Sequence, residues 1–135
     1  MDCIFCKIVN GEIPAKIIDE TNKTLAFLDA FPLTKGHSLV IPKNHYEKLQ
    51  DIPPEENAEL FETVRKIISK VDNFTNATLV AIHNGKDSGQ EVPHVHIHLI
   101  PRSKDDSAGP VHSMFKDRPE PTDEEFNELL EKLKA

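Results

Sequence analysis

The sequence predicts a single α+β domain, in which a mostly antiparallel five-stranded sheet is combined with one long helix and shorter helices. Five short runs of apolar and β-branched residues show the period of two that is typical of strands. Most of these runs are joined by short turns, which favours antiparallel pairing, and only one run has a long helical period. The length of 135 residues leaves room for one domain.

The first third of the chain predicts a short helix followed by three strands. In DCIFCKIVNGEI the apolar residues recur at helical spacing, at Ile4, Phe5, Ile8 and Val9. Gly11 and Pro14 end this helix. The segments AKIIDE and KTLAFLDA are separated by Thr21 and Asn22, which indicates a β-hairpin. The third strand is HSLVIPK, and it ends at Pro42.

The middle of the chain predicts the long helix and two further strands. Pro53 and Pro54 suit the first turn of a helix, and Glu55 and Glu56 suit its dipole. The apolar stripe of this helix consists of Leu60, Phe61, Val64, Ile67, Ile68 and Val71. ATLVAIHN and VPHVHIHLIPR then read as strands, joined by the polar loop GKDSGQE, whose two glycines allow backbone amides to approach a ligand.

The segment beyond Arg102 has a different composition. SKDDSAGPVHSMFKDRPEP shows no periodicity, which predicts a surface arm. The last segment, TDEEFNELLEKLKA, predicts a helix with Thr122 as its N-cap and Glu125 at the capping-box position.

Charge and hydropathy exclude several classes of protein. A formal net charge of -7 argues against a nucleic-acid binder, because affinity for a phosphate backbone comes from clustered Lys and Arg. No apolar run approaches the roughly 20 residues that span a bilayer, so we expect no membrane association. The start MDCIFCK lacks the features of a signal peptide, and we expect a cytoplasmic or other reducing location. In such a compartment the CxxC pair Cys3 and Cys6 is more often a metal or redox pair than a disulfide.

The stretch PHVHIHLIPR carries histidines at every second position. His94, His96 and His98 therefore share one strand face, while the aliphatic residues between them face the core. A solvent-exposed polar face is one interpretation. A single shared metal is another, although neighbours on a strand face are about 7 Å apart. In the third interpretation the histidines have separate roles, one as a nucleophile towards phosphorus and its neighbour as a hydrogen-bond donor to a phosphoryl oxygen.

PHVHIHLIPR, preceded by SGQEV, resembles the motif of the histidine triad superfamily of nucleotide hydrolases and transferases. CIFCKIVNGEIPAK, TLAFLDAFPLTKGHSLVIPKNH and HNGKDSGQ are similar to the same family, so the resemblance runs from Cys3 to Arg102. Residues 103–135 lie outside it, in a region where the family varies. The resemblance implies a homodimer that acts on a purine nucleotide or nucleoside phosphoramidate.

The resemblance also implies a role for individual residues. His96 matches the nucleophile that forms a covalent nucleotidyl-histidine intermediate, His98 matches the histidine that contacts the α-phosphate, and His37 matches a residue that braces the triad. The implied nucleotide-binding residues are Asn84, Gln90, His98, Asp29, Phe5, Ile8 and Phe27. For most of these a plain structural role is the alternative, since Phe27 and Ile8 suit a core and Asp29 suits a turn. We assign no role to His83, which is expected to point away from the side of Asn84.

The N-terminal CxxC of this chain resembles that of a subset of the family whose members bind zinc. The ligands match Cys3, Cys6, His45 and His94, which implies a structural Zn2+ site. His94 would then be structural while His96 and His98 are catalytic. Two reduced thiols with no metal are the alternative.

Glu91 departs from the phosphoramidase branch of the family, which typically has a serine after the loop glutamine. A carboxylate there would repel an anionic polyphosphate unless it is turned away. Phosphoramidates, nucleotidyl-lysines and dinucleoside polyphosphates therefore all remain candidate substrates. The sequence offers only Lys86 and Arg102 as nearby cations. A purine-nucleotide binding module with incidental turnover is the alternative to an enzyme.

Overall fold

The computed structural model describes residues 2–135, which form three α-helices and one five-stranded sheet. The helices are α1 (Ile4–Val9), α2 (Pro54–Thr75) and α3 (Asp123–Lys134), and the strands are β1 (Ile17–Glu20), β2 (Thr24–Leu28), β3 (Ser38–Pro42), β4 (Thr78–Ile82) and β5 (Ile97–Pro101). The strand order is β1-β2-β3-β5-β4, and every neighbouring pair is antiparallel. The predicted α+β class with a five-stranded antiparallel sheet is confirmed.

The two faces of the sheet carry different contents. Aliphatic residues of α2 and of one sheet face form the larger core, which includes Leu60, Val64, Ile67, Val71, Val40, Val95, Ile97 and Leu99. The opposite face packs under α1 in a smaller core of Cys3, Phe5, Leu25, Phe27, Leu39 and Ile41. Phe61, which the sequence assigns to the buried stripe of α2, is 37% exposed because it lies beside the stripe. The alternation of side chains along β5 therefore places the aliphatic residues under α2 and the histidines under α1.

The strand that carries the histidines is shorter than predicted. Regular pairing of β5 begins at Ile97, opposite Val40 of β3, and not at Val92. The preceding residues bond elsewhere, since the Val95 N–H donates to the Tyr46 carbonyl at 2.7 Å. Pro42 ends β3 at this point, and its carbonyl is in contact with the His94 ring at 2.8 Å. Residues 94–96 thus lie outside the regular strand and are held by contacts with Pro42 and Tyr46.

Residues 103–109 form a loop around one carboxylate. Asp106 accepts hydrogen bonds from the Arg102 Nε at 2.6 Å and from the backbone N–H groups of Ser103 and Ala108 at 3.0 Å. The predicted surface arm then leads to α3, whose Thr122 and Glu125 form the predicted capping box. Within residues 2–135 no side chain of α3 is buried, and no helix combines the length and hydrophobicity needed to cross a bilayer.

Candidate active site

His96 lies in the smaller core and is held in one tautomer by the backbone. Its ring is 7% exposed, and its Nδ1 lies 2.8 Å from the main-chain carbonyl of His94. A carbonyl only accepts, so Nδ1 carries the proton and donates it. The Nε2 atom of a neutral ring with this tautomer has a free lone pair.

His98 is held in the opposite tautomer through His37. The Leu33 N–H donates to His37 Nδ1 at 3.1 Å, which leaves the proton of the neutral His37 ring on Nε2. That Nε2–H donates to His98 Nδ1 at 2.9 Å, so the proton of His98 is on its own Nε2. Asp29 Oδ2 lies 3.5 Å from His37 Nε2, on the same side. The structure therefore brings the predicted residues His98, His37 and Asp29 together. The ring centroids of His96 and His98 are 5.0 Å apart.

The histidines of this site are neutral at pH 7. Burial and, to a smaller extent, the neighbouring imidazoles of His96, His37 and His83 together lower the pKa of His98 to about 4. Burial also lowers the pKa of His96 and of His37, while the carboxylate of Asp29 partly opposes the shift in both. A neutral imidazole is the form that can act as a nucleophile, and burial favours this form of His96 at physiological pH.

An apolar wall covers the side of the site under α1. The Phe5 ring meets His96 edge-on with centroids 5.0 Å apart, and it meets Phe27 at 5.9 Å. Ile8 is partly buried against the same cluster. All three predicted base-contacting residues therefore lie on one side of the triad, where an apolar ring would be sheltered from water.

His83 is a residue of this site that sequence reasoning missed. Its ring centroid lies 5.6 Å from that of His98, and it faces the triad and not away from it. Ala81 of β4 pairs with His98, so a residue two positions further along β4 returns to the same face. Gly89, with φ +109°, fits closely over this ring: a Cβ at that position would lie 3.1 Å from His83 Cδ2. The register of β4 against β5 was the missing signal.

The side chains of Asn84 and Gln90 bond within the loops around the site. Asn84 accepts from the Leu49 N–H at 2.8 Å and donates to Gln50 at 3.0 Å. Gln90 accepts from the Gly85 N–H and donates to the Glu47 carbonyl, both at 2.8 Å. Contact between either amide and a phosphate stays a prediction.

The charges around the loop differ from the sequence-based expectation in two respects, the pairing of Arg102 and the presence of a further lysine, Lys48. Arg102 forms an ion pair with Asp106, so its charge is neutralised by a residue of the surface arm. Lys86 lines an open cleft of about 510 Å³, together with Lys48 and Glu91. Glu91 is exposed, and its charge opposes the lowering of the His96 pKa.

A second group of side chains meets beside the triad and has the composition of a metal site. Cys3, Cys6, His45 and His94 each point one ligand atom inward, and these atoms all lie within 4.8 Å of one another. The Cys3 Sγ and Cys6 Sγ atoms lie 3.4 and 3.6 Å from His94 Nδ1. Cys6 Sγ lies 3.4 Å from His45 Nδ1.

These distances fit a tetrahedral ion. With Zn–S near 2.3 Å and Zn–N near 2.0 Å, tetrahedral angles place sulfur and nitrogen about 3.5 Å apart. His94 also has the required tautomer, since its Nε2 donates to the Pro42 carbonyl at 2.8 Å and leaves a lone pair on Nδ1. Burial and contact with Cys3 raise the pKa of the Cys6 thiol. A bound cation would reverse that shift by stabilising both thiolates.

The chain is similar in sequence to characterised and uncharacterised proteins. The HIT domain family model matches residues 10–105. An uncharacterised HIT-like protein of Methanocaldococcus jannaschii is 48% identical over 106 residues, which cover 77% of this chain and 81% of that protein. The adenosine 5'-monophosphoramidase of Schizosaccharomyces pombe is 42% identical over 108 residues, which cover 78% of each chain.

Solved structures have the same fold over nearly the whole chain. A HIT family protein of Bacillus subtilis superposes with a TM-score of 0.85 at 33% identity and covers 99% of this chain and 96% of its own. A zinc-bound histidine triad family protein of Mycobacterium smegmatis superposes with a TM-score of 0.74 at 37% identity, with 96% and 91% covered. The Mycobacterium smegmatis protein is bound to zinc, the metal that the Cys3, Cys6, His45 and His94 group of the present chain would fit.

Proposed function

Because the chain belongs to the HIT domain family, we propose that it hydrolyses a nucleoside 5'-phosphate derivative at the α-phosphate. The candidate substrates are an adenosine phosphoramidate, a nucleotidyl-lysine and a dinucleoside polyphosphate. The observation that carries the proposal is the hydrogen bond from His96 Nδ1 to the His94 carbonyl, which leaves Nε2 free as a nucleophile. The phosphoramidase of Schizosaccharomyces pombe supports it as a relative that acts on such a substrate.

In the first step His96 Nε2 attacks the α-phosphorus. A P–N bond to His96 forms while the bond from phosphorus to the leaving group breaks, and the leaving group departs with the electron pair and takes up a proton. The His98 Nε2–H, oriented by His37, donates to a phosphoryl oxygen as negative charge develops there. In the second step water attacks the same phosphorus and releases a proton to the solvent, which replaces the proton that the leaving group took up, while the P–N bond breaks and the electron pair returns to Nε2.

The charge of the site favours a phosphate with one negative charge over a phosphate monoester. Its donors are neutral imidazoles and backbone amides, and Arg102 is committed to Asp106. Glu47 and Glu91 line the open cleft together with Lys48 and Lys86, so its formal charges balance and do not select among the three candidate substrates.

The nucleotide would lie between the histidines and the wall under α1. Phe5, Ile8 and Phe27 would contact the base, and Asp29 would accept hydrogen bonds from the ribose hydroxyls. Asn84 and Gln90 would act from the loop near the phosphate.

We also infer a structural Zn2+ bound by Cys3, Cys6, His45 and His94. Their donor set, their spacing and the tautomer of His94 support it, as does the zinc-bound relative from Mycobacterium smegmatis. The metal would join α1 to the triad without taking part in the reaction. Thiolate ligands persist in a reducing compartment, which supports a cytoplasmic location.

We further propose that the protein is a homodimer. The apolar residues of α3 are exposed, with Phe126 56% and Leu133 84% accessible. A single helix of 12 residues is marginal in water without packing, so α3 needs a surface to cover this face. A second copy of the chain is the occupant that family membership favours.

The proposal is tested by AMP release from adenosine 5'-phosphoramidate, combined with calorimetric titration of AMP. Replacing the nucleophile in His96→Ala should lower kcat by at least about 10³-fold, while AMP affinity changes little. His112→Ala, which removes an exposed histidine of the arm, is the control and should match the wild type. A wild type that binds AMP but releases none from the phosphoramidate would support the binding-module alternative and contradict the proposal.

A further inference from the structure

His94 takes part in both the metal group and the candidate active site. Its ring Nδ1 lies 3.4 Å from Cys3 Sγ, and its main-chain oxygen accepts the Nδ1–H of His96 at 2.8 Å. The ring and the carbonyl belong to one residue, so an atom bound to the ring constrains the carbonyl. His94 thus links the metal group directly to the hydrogen bond that sets the tautomer of His96.

The sheet does not fix the His94 carbonyl. Regular pairing of β5 begins three residues later, at Ile97. The backbone here is held at the His94 N–H, which donates to the Val92 carbonyl, and at the Val95 N–H, which donates to Tyr46. The Val95 N–H and the His94 carbonyl belong to one planar peptide group, so Tyr46, the neighbour of His45, also orients that carbonyl. The side chain supplies the other restraints, because the fully buried His94 ring is held at Nε2 by Pro42 and faces the two thiols with Nδ1.

A second connection runs through α1. Cys3 is the N-cap of this helix, and its Sγ accepts the Cys6 N–H at 3.5 Å. One turn of this helix carries Phe5, whose ring packs on His94 at 5.8 Å and on His96 at 5.0 Å. Fixing the two sulfur atoms therefore also fixes the ring that packs against the nucleophile.

We propose that Cys3, Cys6 and His45 are positioning residues for His96, which they hold in its nucleophilic tautomer by anchoring His94 through a bound Zn2+. This deepens the proposed function and rests on it for the role of His96. Without the metal, His45 and the neighbouring Tyr46 carbonyl, which holds the Val95 N–H, lose their anchor together with the His94 ring, so the peptide group of the His94 carbonyl gains freedom and both tautomers of a neutral His96 ring become populated. In one of them Nε2 carries the proton and has no lone pair for phosphorus.

His45 offers the cleanest test, because it is half-buried in the turn after β3 and belongs neither to α1 nor to the triad. His45→Ala removes a ligand, and His45→Cys keeps one of a type that zinc accepts. Each protein is labelled with ¹⁵N in its histidines, and two-bond ¹H–¹⁵N correlation spectra at one fixed pH report the tautomer of His96. Metal analysis gives zinc per chain, and circular dichroism reports the fold.

We expect the wild type and His45→Cys to bind one zinc per chain and to keep His96 protonated at Nδ1. His45→Ala should lose zinc, show both tautomers of His96 and lose about fivefold in kcat, the effect expected from one lost hydrogen bond. If His45→Ala does not fold, chelation of the wild type followed by reloading with Zn2+ makes the same comparison.

Two results would overturn the proposal. One is a folded, zinc-free protein in which His96 keeps the wild-type tautomer, because the cluster would then act on stability alone. The other is a wild type that binds no zinc. The tautomer is measured without turnover, so a protein that hydrolyses no nucleotide still tests this inference separately from the proposed function.

Discussion

His96 and His98 lie two residues apart on one face, yet their Nδ1 atoms meet opposite partners. The Nδ1 of His96 meets a carbonyl and must donate, whereas the Nδ1 of His98 meets the N–H of His37 and must accept. The same side chain therefore presents a lone pair at one position and a proton at the next. Both are needed for attack on a phosphate, the first to form the new bond and the second to stabilise the charge that develops.

Burial of His98 makes stability depend on pH. The pKa of His98 is about 4 in the folded protein and near 6.5 when unfolded, so the unfolded chain binds more protons between these values. The free energy of unfolding is therefore highest above pH 6.5 and falls as the pH drops from 6.5 towards 4. Since this ring is only partly buried, we expect its share of the loss between pH 7 and pH 5 to be roughly 1 kcal/mol.

Urea denaturation of the wild type and His98→Asn at pH 7 and pH 5 measures that share. Asparagine keeps an acceptor for His37 and does not titrate, so the variant should lose less stability on acidification than the wild type. An equal loss of stability in both proteins would show that protonation of His98 does not contribute to the pH dependence of the free energy of unfolding.

At the scale of elements, α3 stands out because its apolar side chains are exposed. Its Thr122 cap and its charges stabilise it locally, while its apolar face stays exposed. We expect this face to lie in the homodimer interface. Leu129→Glu should therefore give a monomer, because burying an unpaired carboxylate costs several kcal/mol.

Light scattering after size-exclusion chromatography gives the mass of each protein. Asn127→Glu adds the same charge on the polar face of the same helix and should remain a dimer. A monomeric wild type, or a dimeric Leu129→Glu, would contradict the assignment of this face to the interface.

Local pattern was sufficient to predict the elements but not their alignment. The hairpin of β1 and β2, the stripe of α2 and the capping box of α3 are all readable in the sequence because each depends on neighbours in the chain. The start of β5 was wrong, because it depends on where β3 ends and on the Tyr46 carbonyl. His83 was missed for the same reason, since only the pairing of Ala81 with His98 shows which face it shares.

At the scale of the whole molecule, the two faces of the sheet carry different groups of side chains. The face under α2 is an aliphatic core, whereas the face under α1 contains the histidines, the aromatic wall and the four side chains that could hold a metal. The resemblance of the sequence to a family anticipated this second set, including Cys3 and His45, which are far apart in the chain. Tautomers and hydrogen-bond partners could not be predicted, because they depend on carbonyls such as those of His94 and Pro42.

The central claim is that His96 becomes covalently bonded to a nucleotide during turnover. Intact-mass analysis of the protein, quenched without acid soon after mixing with adenosine 5'-phosphoramidate, tests it most directly. We predict an added adenylyl mass in the wild type and in the control His112→Ala, and none in His96→Ala. Release of AMP by the wild type without an adduct at any time point, or an adduct that persists in His96→Ala, would contradict covalent catalysis at this residue.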